Sequence, residues 1–363
     1  MALDALTTVL EHFLLPPGNI TIESITGGRI NQSYKVSVSS MKGEEKSSFV
    51  LQVINSSVFE NPDLIMRNLD KLLSHSRLKG LDLVPTREGE LWYIGLGGEF
   101  YRVMRYVDHS PSRVENQDLY YQAGRAVSEF HLQYWEFPSG KLNEVIENFH
   151  HTPSRFQFFE TVLSTASDDR INLAQNEIVF VRKNKFLANI ITKQLESGNL
   201  PYRVTHNDTK IDNILFSDEG QAICLIDFDT VMPGAIAWDI GDSVRSMANS
   251  VGEEETNIEK VEFLQKRFED FISGYASVMD GKILPREVSS LLQGCLVIVY
   301  EQGLRFLTDY LNNDQYYGAS YPTQNLTRAQ IQFALLKQML SKREIMERVV
   351  TEIFPLSMKK KMI

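Results

Sequence analysis

Residues 205–229, THNDTKIDNILFSDEGQAICLIDFD, admit few arrangements. A β-rich lead-in, Pro201-Tyr202-Arg203-Val204-Thr205, enters a polar loop that runs from His206 to Asn213. Ile214-Leu215-Phe216 has the length and content of a buried strand. Ser217-Asp218-Glu219-Gly220 turns the chain, and Ala222 to Ile226 returns as a second apolar strand ending on Asp227-Phe228-Asp229. Short apolar runs flanked by turn residues mark core strands. A hairpin of this shape brings Asp208 and Asn213 to one end and sets Asp227 beside them.

Phosphoryl transfer from a nucleotide needs that set of groups. One carboxylate must orient and deprotonate the acceptor hydroxyl, and a carboxylate with an amide oxygen must hold Mg²⁺, which prefers hard oxygen ligands. The kinase catalytic loop is written H-x-D-x-x-x-x-N, followed by an Asp-Phe pair at a strand end. Here it is His206-Asn207-Asp208, with Asn213 five residues after the Asp and then Asp227-Phe228. Either half alone reads as an Asx-rich turn. Both halves at this spacing read as a kinase-type site.

The strings VTHNDTKIDNILF, IDFDTVMPG, DIGDSVR and TGGRINQSYKV resemble the N-acetylhexosamine 1-kinases, within the aminoglycoside phosphotransferase and choline kinase branch of the protein-kinase-like fold. The resemblance runs from about residue 20 to about residue 340. It implies an α+β, bilobal fold: an N-terminal nucleotide-binding lobe over residues 1–107 with a five-stranded antiparallel sheet, and a larger, mainly helical lobe over residues 108–363. It also implies ATP and Mg²⁺ as cofactors and the anomeric hydroxyl of an N-acetylhexosamine as acceptor. Carried onto this chain, Asp208 is the catalytic base, and Lys210 reaches the γ-phosphate. Asn213 and Asp227 are the metal ligands, while His206 and Asp239 support the loop.

Taken in order, the chain fits that plan. Met1 to Leu15 is an amphipathic helix without the basic start of a signal peptide. Strands are expected at Asn19–Ile25, Ser33–Ser39 and Ser48–Ile54, and a hairpin over 91–107 completes the sheet. The glycine pair Gly27-Gly28 lets backbone N–H groups approach phosphates closely, and Arg29 and Asn31 beside it could reach a phosphate or an acceptor sugar. Gln52 stands where most members of the fold place a phosphate-binding Lys. Its amide can donate to a phosphate oxygen but carries no charge. Met104, Tyr106 and Val107 form the hinge, where backbone groups bind adenine; equally, they could be plain core. Asp118 to Trp135 carries a broad apolar stripe and is the central helix of the large lobe. Helices follow over Ile258–Ala276, Pro285–Asn312 and Thr327–Ile353. Arg305 and Tyr317, in a cluster with Asp309, Tyr310 and Tyr316, read as helix surface and core on spacing alone; the resemblance makes them a sugar wall.

Composition narrows the classes further. The net charge of −10 argues against a nucleic-acid partner, and means that nucleotide phosphate must be bound by local groups. Two cysteines cannot make a disulfide framework, so a reducing, cytoplasmic setting is expected. No stretch of about twenty apolar residues exists to cross a membrane. Partners should be a nucleotide and a small sugar, and the protein a monomer. Two alternatives stay open: a kinase of the same fold acting on choline, homoserine, methylthioribose or an aminoglycoside, and a non-catalytic nucleotide-binding scaffold, suggested by Gln52. A third, hydrolytic reading as a sulfatase has no chemical support, because both near matches to its motif carry His (His109 and His151) at the nucleophile position.

Overall fold

The computed structural model describes residues 3–25, 30–40, 46–110 and 118–359. The chain forms two compact units. One comprises Met1–Pro111, Leu142–Ile146 and Phe228–Val231; the other comprises Ser112–Lys141, Glu147–Asp227 and Met232–Ile363.

In the first unit, Leu6, Val9, Leu10 and Phe13 recur at helical spacing and are buried. They bring α1 (Leu3–Leu10) and the residues after it onto one sheet face. The sheet's strands are β1 (Asn19–Ile25), β2 (Gln32–Ser39), β3 (Lys46–Ile54), β4 (Leu83–Val84), β5 (Tyr93–Ile94) and β6 (Phe100–Arg105). Period-two alternation points Val36 and Val38 of β2, and Phe49, Leu51 and Val53 of β3, into the same cluster. Each buried side chain of this size stabilises by about 1.5–3 kcal/mol. The order is β1-β2-β3-β6-β4 with β5 also on β6, all antiparallel. This makes six strands, not the five expected. The sixth is the two-residue β4, whose apolar pair Leu83-Val84 is too short to stand out by periodicity. Helix α2 (Pro62–His75) buries Ile65, Met66, Leu69 and Leu72.

The second unit is mostly helical. After α3 (Leu119–Gln133) come α4 (Thr152–Leu163), α5 (Asp168–Leu173), α6 (Gln175–Lys183) and α7 (Ile190–Glu196). Four short strands follow: β7 (Arg203–Thr205), β8 (Ile214–Phe216), β9 (Ala222–Leu225) and β10 (Met232–Gly234). The chain ends through α8 (Ile236–Met247), α9 (Gln265–Met279), α10 (Pro285–Leu311), α11 (Gln324–Ser341) and α12 (Arg343–Ile353), with a last short helix at Pro355–Lys359.

Two expected helices are shorter or divided. Residues 249–250 pair with 262–263, so 258–260 makes one 3₁₀ turn and α9 begins only at Gln265. The long C-terminal helix breaks at Lys342, whose N–H bonds the Gln338 and Met339 carbonyls as a terminal turn does.

Glycines let the helices that carry the site cross in backbone contact. A Cβ on Gly294 of α10 would overlap the Ala237 carbonyl of α8, and one on Gly241 of α8 would meet the Gly294 carbonyl. Gly124 of α3 and Gly274 of α9 do the same for the neighbouring pair. Among the described residues no helix is long and apolar enough to cross a membrane.

Candidate active site

Strand β7 delivers the polar loop, and β10 holds it in place through the register Met232↔Thr205 to Gly234↔Arg203. Thr205 Oγ1 donates to the Met232 carbonyl at 2.9 Å. A Cβ at position 234 would overlap that hydroxyl, so only glycine fits. The hairpin read from the sequence is present: Ile214 pairs with Leu225 and Leu215 with Cys224. Two Asx residues take left-handed backbone, Asn207 with φ 64 and Asp227 with φ 66, a conformation these residue types tolerate better than most.

Asp239, in the first turn of α8, organises the loop. Its Oδ2 accepts from the His206 N–H at 2.8 Å, and its Oδ1 from the Asn207 N–H at 2.6 Å. Its backbone carbonyl accepts from Thr209 Oγ1 at 2.5 Å. His131 of α3 completes the carboxylate's shell with Nε2 at 2.8 Å, while its Nδ1 lies 2.8 Å from the Tyr275 hydroxyl. Ser243 and Ser246, further along α8, bond Thr209 and the Ile211 N–H. Burial drives the His206 imidazole below its ordinary value against the pull of Asp239 and Asp208. Its Nε2 faces the Ile226 carbonyl at 3.0 Å. A carbonyl only accepts, so Nε2 carries the proton.

With the loop fixed, Asp208 presents a half-buried carboxylate. Lys210 Nζ and Asn213 Nδ2 donate to its Oδ2 at 2.6 and 2.8 Å, and Asn213 also bonds the Asp208 carbonyl at 2.8 Å. Burial raises the Asp208 carboxyl, but Lys210 and then His206 and Asn213 outweigh it, and the net shift is downward. Lys210 is raised: burial lowers it, while Asp208, Asp227 and Asp242 more than compensate. Asp208, Lys210, Asn213 and Asp227 are thus held in one electrostatic neighbourhood. Asn213 spends its amide nitrogen on Asp208; its amide oxygen and the carboxylate of Asp227 are the hard-oxygen groups that could hold a divalent cation. That set suits Mg²⁺ better than a softer metal.

Several groups here carry no strong sequence signal. Asp242, one turn after Asp239, gives Oδ1 to Arg245 at 2.9 and 2.7 Å, and its Oδ2 is buried without a hydrogen bond. Burial raises its carboxyl, and Asp208 adds to this against Arg245 and Lys210. His150 places Nε2 3.2 Å from the Asn207 carbonyl and Nδ1 2.9 Å from Glu301 Oε1. His150 thereby ties α10 to the loop. Glu301, a lone acid inside the apolar run of α10, was the available hint.

The remaining expected site residues divide. Gly27, Gly28 and Arg29 lie outside the described residues. Tyr317 packs tilted against Phe306, with ring centroids 4.7 Å apart, and accepts from Gln302 at 3.3 Å. Arg305 stands 5.7 Å from its ring. Asp309 is taken up by the Tyr316 and Tyr317 N–H groups at 2.7 and 2.9 Å, so it shapes the turn. In the first unit, the Tyr106 N–H donates to the Ser48 carbonyl at 3.0 Å, and the Val107 carbonyl meets His109 Nδ1 at 2.8 Å. Met104 pairs with Val50 and Leu83 inside the sheet.

Gln52 has a physical explanation in the same unit. Its register partner across β3 and β6 is Arg102, whose Nε and Nη2 donate to Gln52 Oε1 at 2.9 and 2.7 Å. Arg102 Nη2 also lies 2.5 Å from Asp229 Oδ1, with both side chains 2% exposed. Asn31 Nδ2 donates to Asp229 Oδ2 at 2.6 Å, and its Oδ1 accepts from the Asn55 N–H at 3.0 Å. A lysine at position 52 would face Arg102 with one buried carboxylate for two cations. A neutral acceptor suits the place. Gln52 and Asn31 are thereby committed to this network, and Gln52 Nε2 donates to Ser33 at 3.0 Å.

Residues 21–278 match the model of the Phosphotransferase enzyme family. Solved structures share the fold. A microcompartment-associated aminopropanol kinase superposes with a TM-score of 0.64 at 16% identity, covering 94% of this chain and 98% of that one. The choline kinase of Cryptosporidium parvum Iowa II gives 0.60 at 12%, covering 98% and 99%. A spectinomycin phosphotransferase in complex with ADP and spectinomycin gives 0.59 at 14%, covering 93% and 99%.

Proposed function

The chain belongs to the Phosphotransferase enzyme family, and we propose that it moves the terminal phosphoryl group of ATP onto the anomeric hydroxyl of an N-acetylhexosamine, giving the sugar 1-phosphate. One observation carries the reading: a half-buried, ionised Asp208 held between Lys210 and Asn213 on a loop pinned by Asp239. Asp208 orients the acceptor hydroxyl and takes its proton. Its lowered pKa makes it a weak base, which suits a loose transition state in which the acceptor oxygen loses its proton late. Lys210 offers the positive charge that a phosphate needs in a chain of net charge −10. Asn213 and Asp227 would hold Mg²⁺, which would supply positive charge against the phosphates. The resemblance of the motif strings to N-acetylhexosamine 1-kinases favours the sugar. The second reading is the same chemistry on another alcohol, supported by folds shared with kinases whose names specify aminopropanol and choline.

The test is nucleotide affinity measured by calorimetry across a Mg²⁺ titration, with ADP release followed in parallel. We expect Asp227→Ala to weaken Mg²⁺-dependent nucleotide binding by at least ~10-fold, the scale of losing a supporting group at a metal site. Unchanged affinity would refute the ligand role.

A further inference from the structure

Between the hairpin and β10 the chain changes surroundings. Asp227 is exposed, and the four residues after it, Phe228 to Val231, are buried and belong to the first unit. Residues 228–230 make one 3₁₀ turn, which the Val231 N–H closes on the Phe228 carbonyl at 3.2 Å. The far end of this segment is tied by Asn68 of α2. Its Nδ2 donates to the Val231 carbonyl at 3.0 Å and to the Asn143 carbonyl at 2.9 Å, and its Oδ1 accepts from the Asn143 N–H at 2.7 Å. The near end is tied by Asp229, two residues from Asp227. Its Oδ1 pairs with Arg102 Nη2 at 2.5 Å, and its Oδ2 accepts from Asn31 Nδ2 at 2.6 Å. Both donors are themselves held, Arg102 by Gln52 Oε1 and Asn31 by the Asn55 N–H.

A buried ion pair gains little net stability, because desolvation of the two charges offsets their attraction. What a charge-assisted contact does supply is a fixed geometry. Asp227 needs one: its backbone is left-handed, with φ 66, a conformation that Asp tolerates without preferring. Both Asp229 oxygens are engaged by protein donors, and the side chain is 2% exposed, so Asp229 serves as an anchor and not as a metal ligand.

We propose that Arg102 is a positioning residue for the metal site: by gripping Asp229 it fixes the backbone two residues earlier and sets the Asp227 carboxylate in the orientation that takes Mg²⁺. This rests on the phosphotransfer reading above, and adds to it a residue that none of the motif strings contains. Gln52 is then part of the same device, since its neutral oxygen aims the Arg102 guanidinium without competing for Asp229.

The test compares the calorimetric affinity of the full chain for ADP in Mg²⁺ with that in EDTA, for the wild type, Arg102→Met, Asp229→Asn, the double variant and Arg102→Lys. A loss of folded protein lowers both affinities alike, so their ratio reads the metal site alone. Arg102→Met and Asp229→Asn should each reduce the ratio about tenfold, the scale on which groups supporting a metal ligand act. The double variant should reduce it no further, because both residues act through one contact. Arg102→Lys keeps the charge and should restore part of the loss. Should either single variant fail to fold around its unpaired charge, the double variant, which leaves neither charge of the pair, carries the same comparison. An unchanged ratio in Arg102→Met or in the double variant would overturn the proposal. A ratio lost in Asp229→Asn but kept in Arg102→Met would overturn it too, making Asp229 itself a ligand. In both cases Asp227→Ala would still abolish the Mg²⁺ dependence and leave the kinase reading intact. A wild type that binds ADP no better with Mg²⁺ than without would overturn both.

Discussion

Replacing Asp208 with Asn should lower kcat by about 10²–10⁴-fold while nucleotide affinity in Mg²⁺ is retained. The amide keeps the size of the carboxylate and can still accept from Lys210 Nζ, now at 2.6 Å, so the loop should stay folded. What is lost is the charge that accepts the acceptor's proton. Steady-state ADP release and calorimetric nucleotide titration together check this. A variant that turns over at the wild-type rate means that another group is the base. The pH profile supplies a second check. Because Lys210 and Asn213 hold the Asp208 carboxyl below its usual range, kcat/KM should show no loss from this group as pH falls to ordinary carboxylate values. The same shift has a stability consequence. A depressed folded-state pKa contributes stability that is present above the unfolded carboxylate value, and it is lost as pH falls through the folded one.

The second large effect should come from Asp239→Ala. Its carboxylate satisfies two buried backbone N–H groups and the His131 ring. Truncation leaves all three donors buried without it. Each orphaned donor costs about 1–3 kcal/mol, and removing one member of a buried, charge-assisted network typically costs about 3–5 kcal/mol in total, since such terms do not add. A urea titration followed by circular dichroism should therefore show a much lower midpoint, and activity should fall with loop order. An unchanged midpoint would mean that Asp239 does not hold the loop. The companion carboxylate Asp242 should matter less, because Arg245 keeps Glu253 as a partner.

The fold class and the clustering of the candidate-site residues were legible because they are written locally. Asp208, Lys210 and Asn213 lie within six residues of one another, and the apolar strands on either side force them into one turn. Asp239 was reachable because it begins an amphipathic helix close behind the hairpin. What stayed hidden depends on register and on long-range packing. Nothing in the run around Gln52 indicates that Arg102 pairs with it fifty residues later, so the reason for an amide at this position could not be read from the sequence. His150 and Glu301 meet across 151 residues, and only the glycine-mediated crossing of α8 and α10 brings the second of them to the loop. Short elements failed for a different reason. A two-residue strand such as β4 has no period to detect, and the turn at Lys342 is a local end of one helix that composition does not announce.

The most direct measurement is the phosphorus spectrum of a reaction containing the full chain, Mg²⁺, ATP and N-acetylglucosamine. The account predicts loss of the γ-phosphate signal, growth of ADP, and one new resonance split by the anomeric proton, all absent with Asp208→Asn. ATP left intact with this and every other alcohol supplied would contradict it.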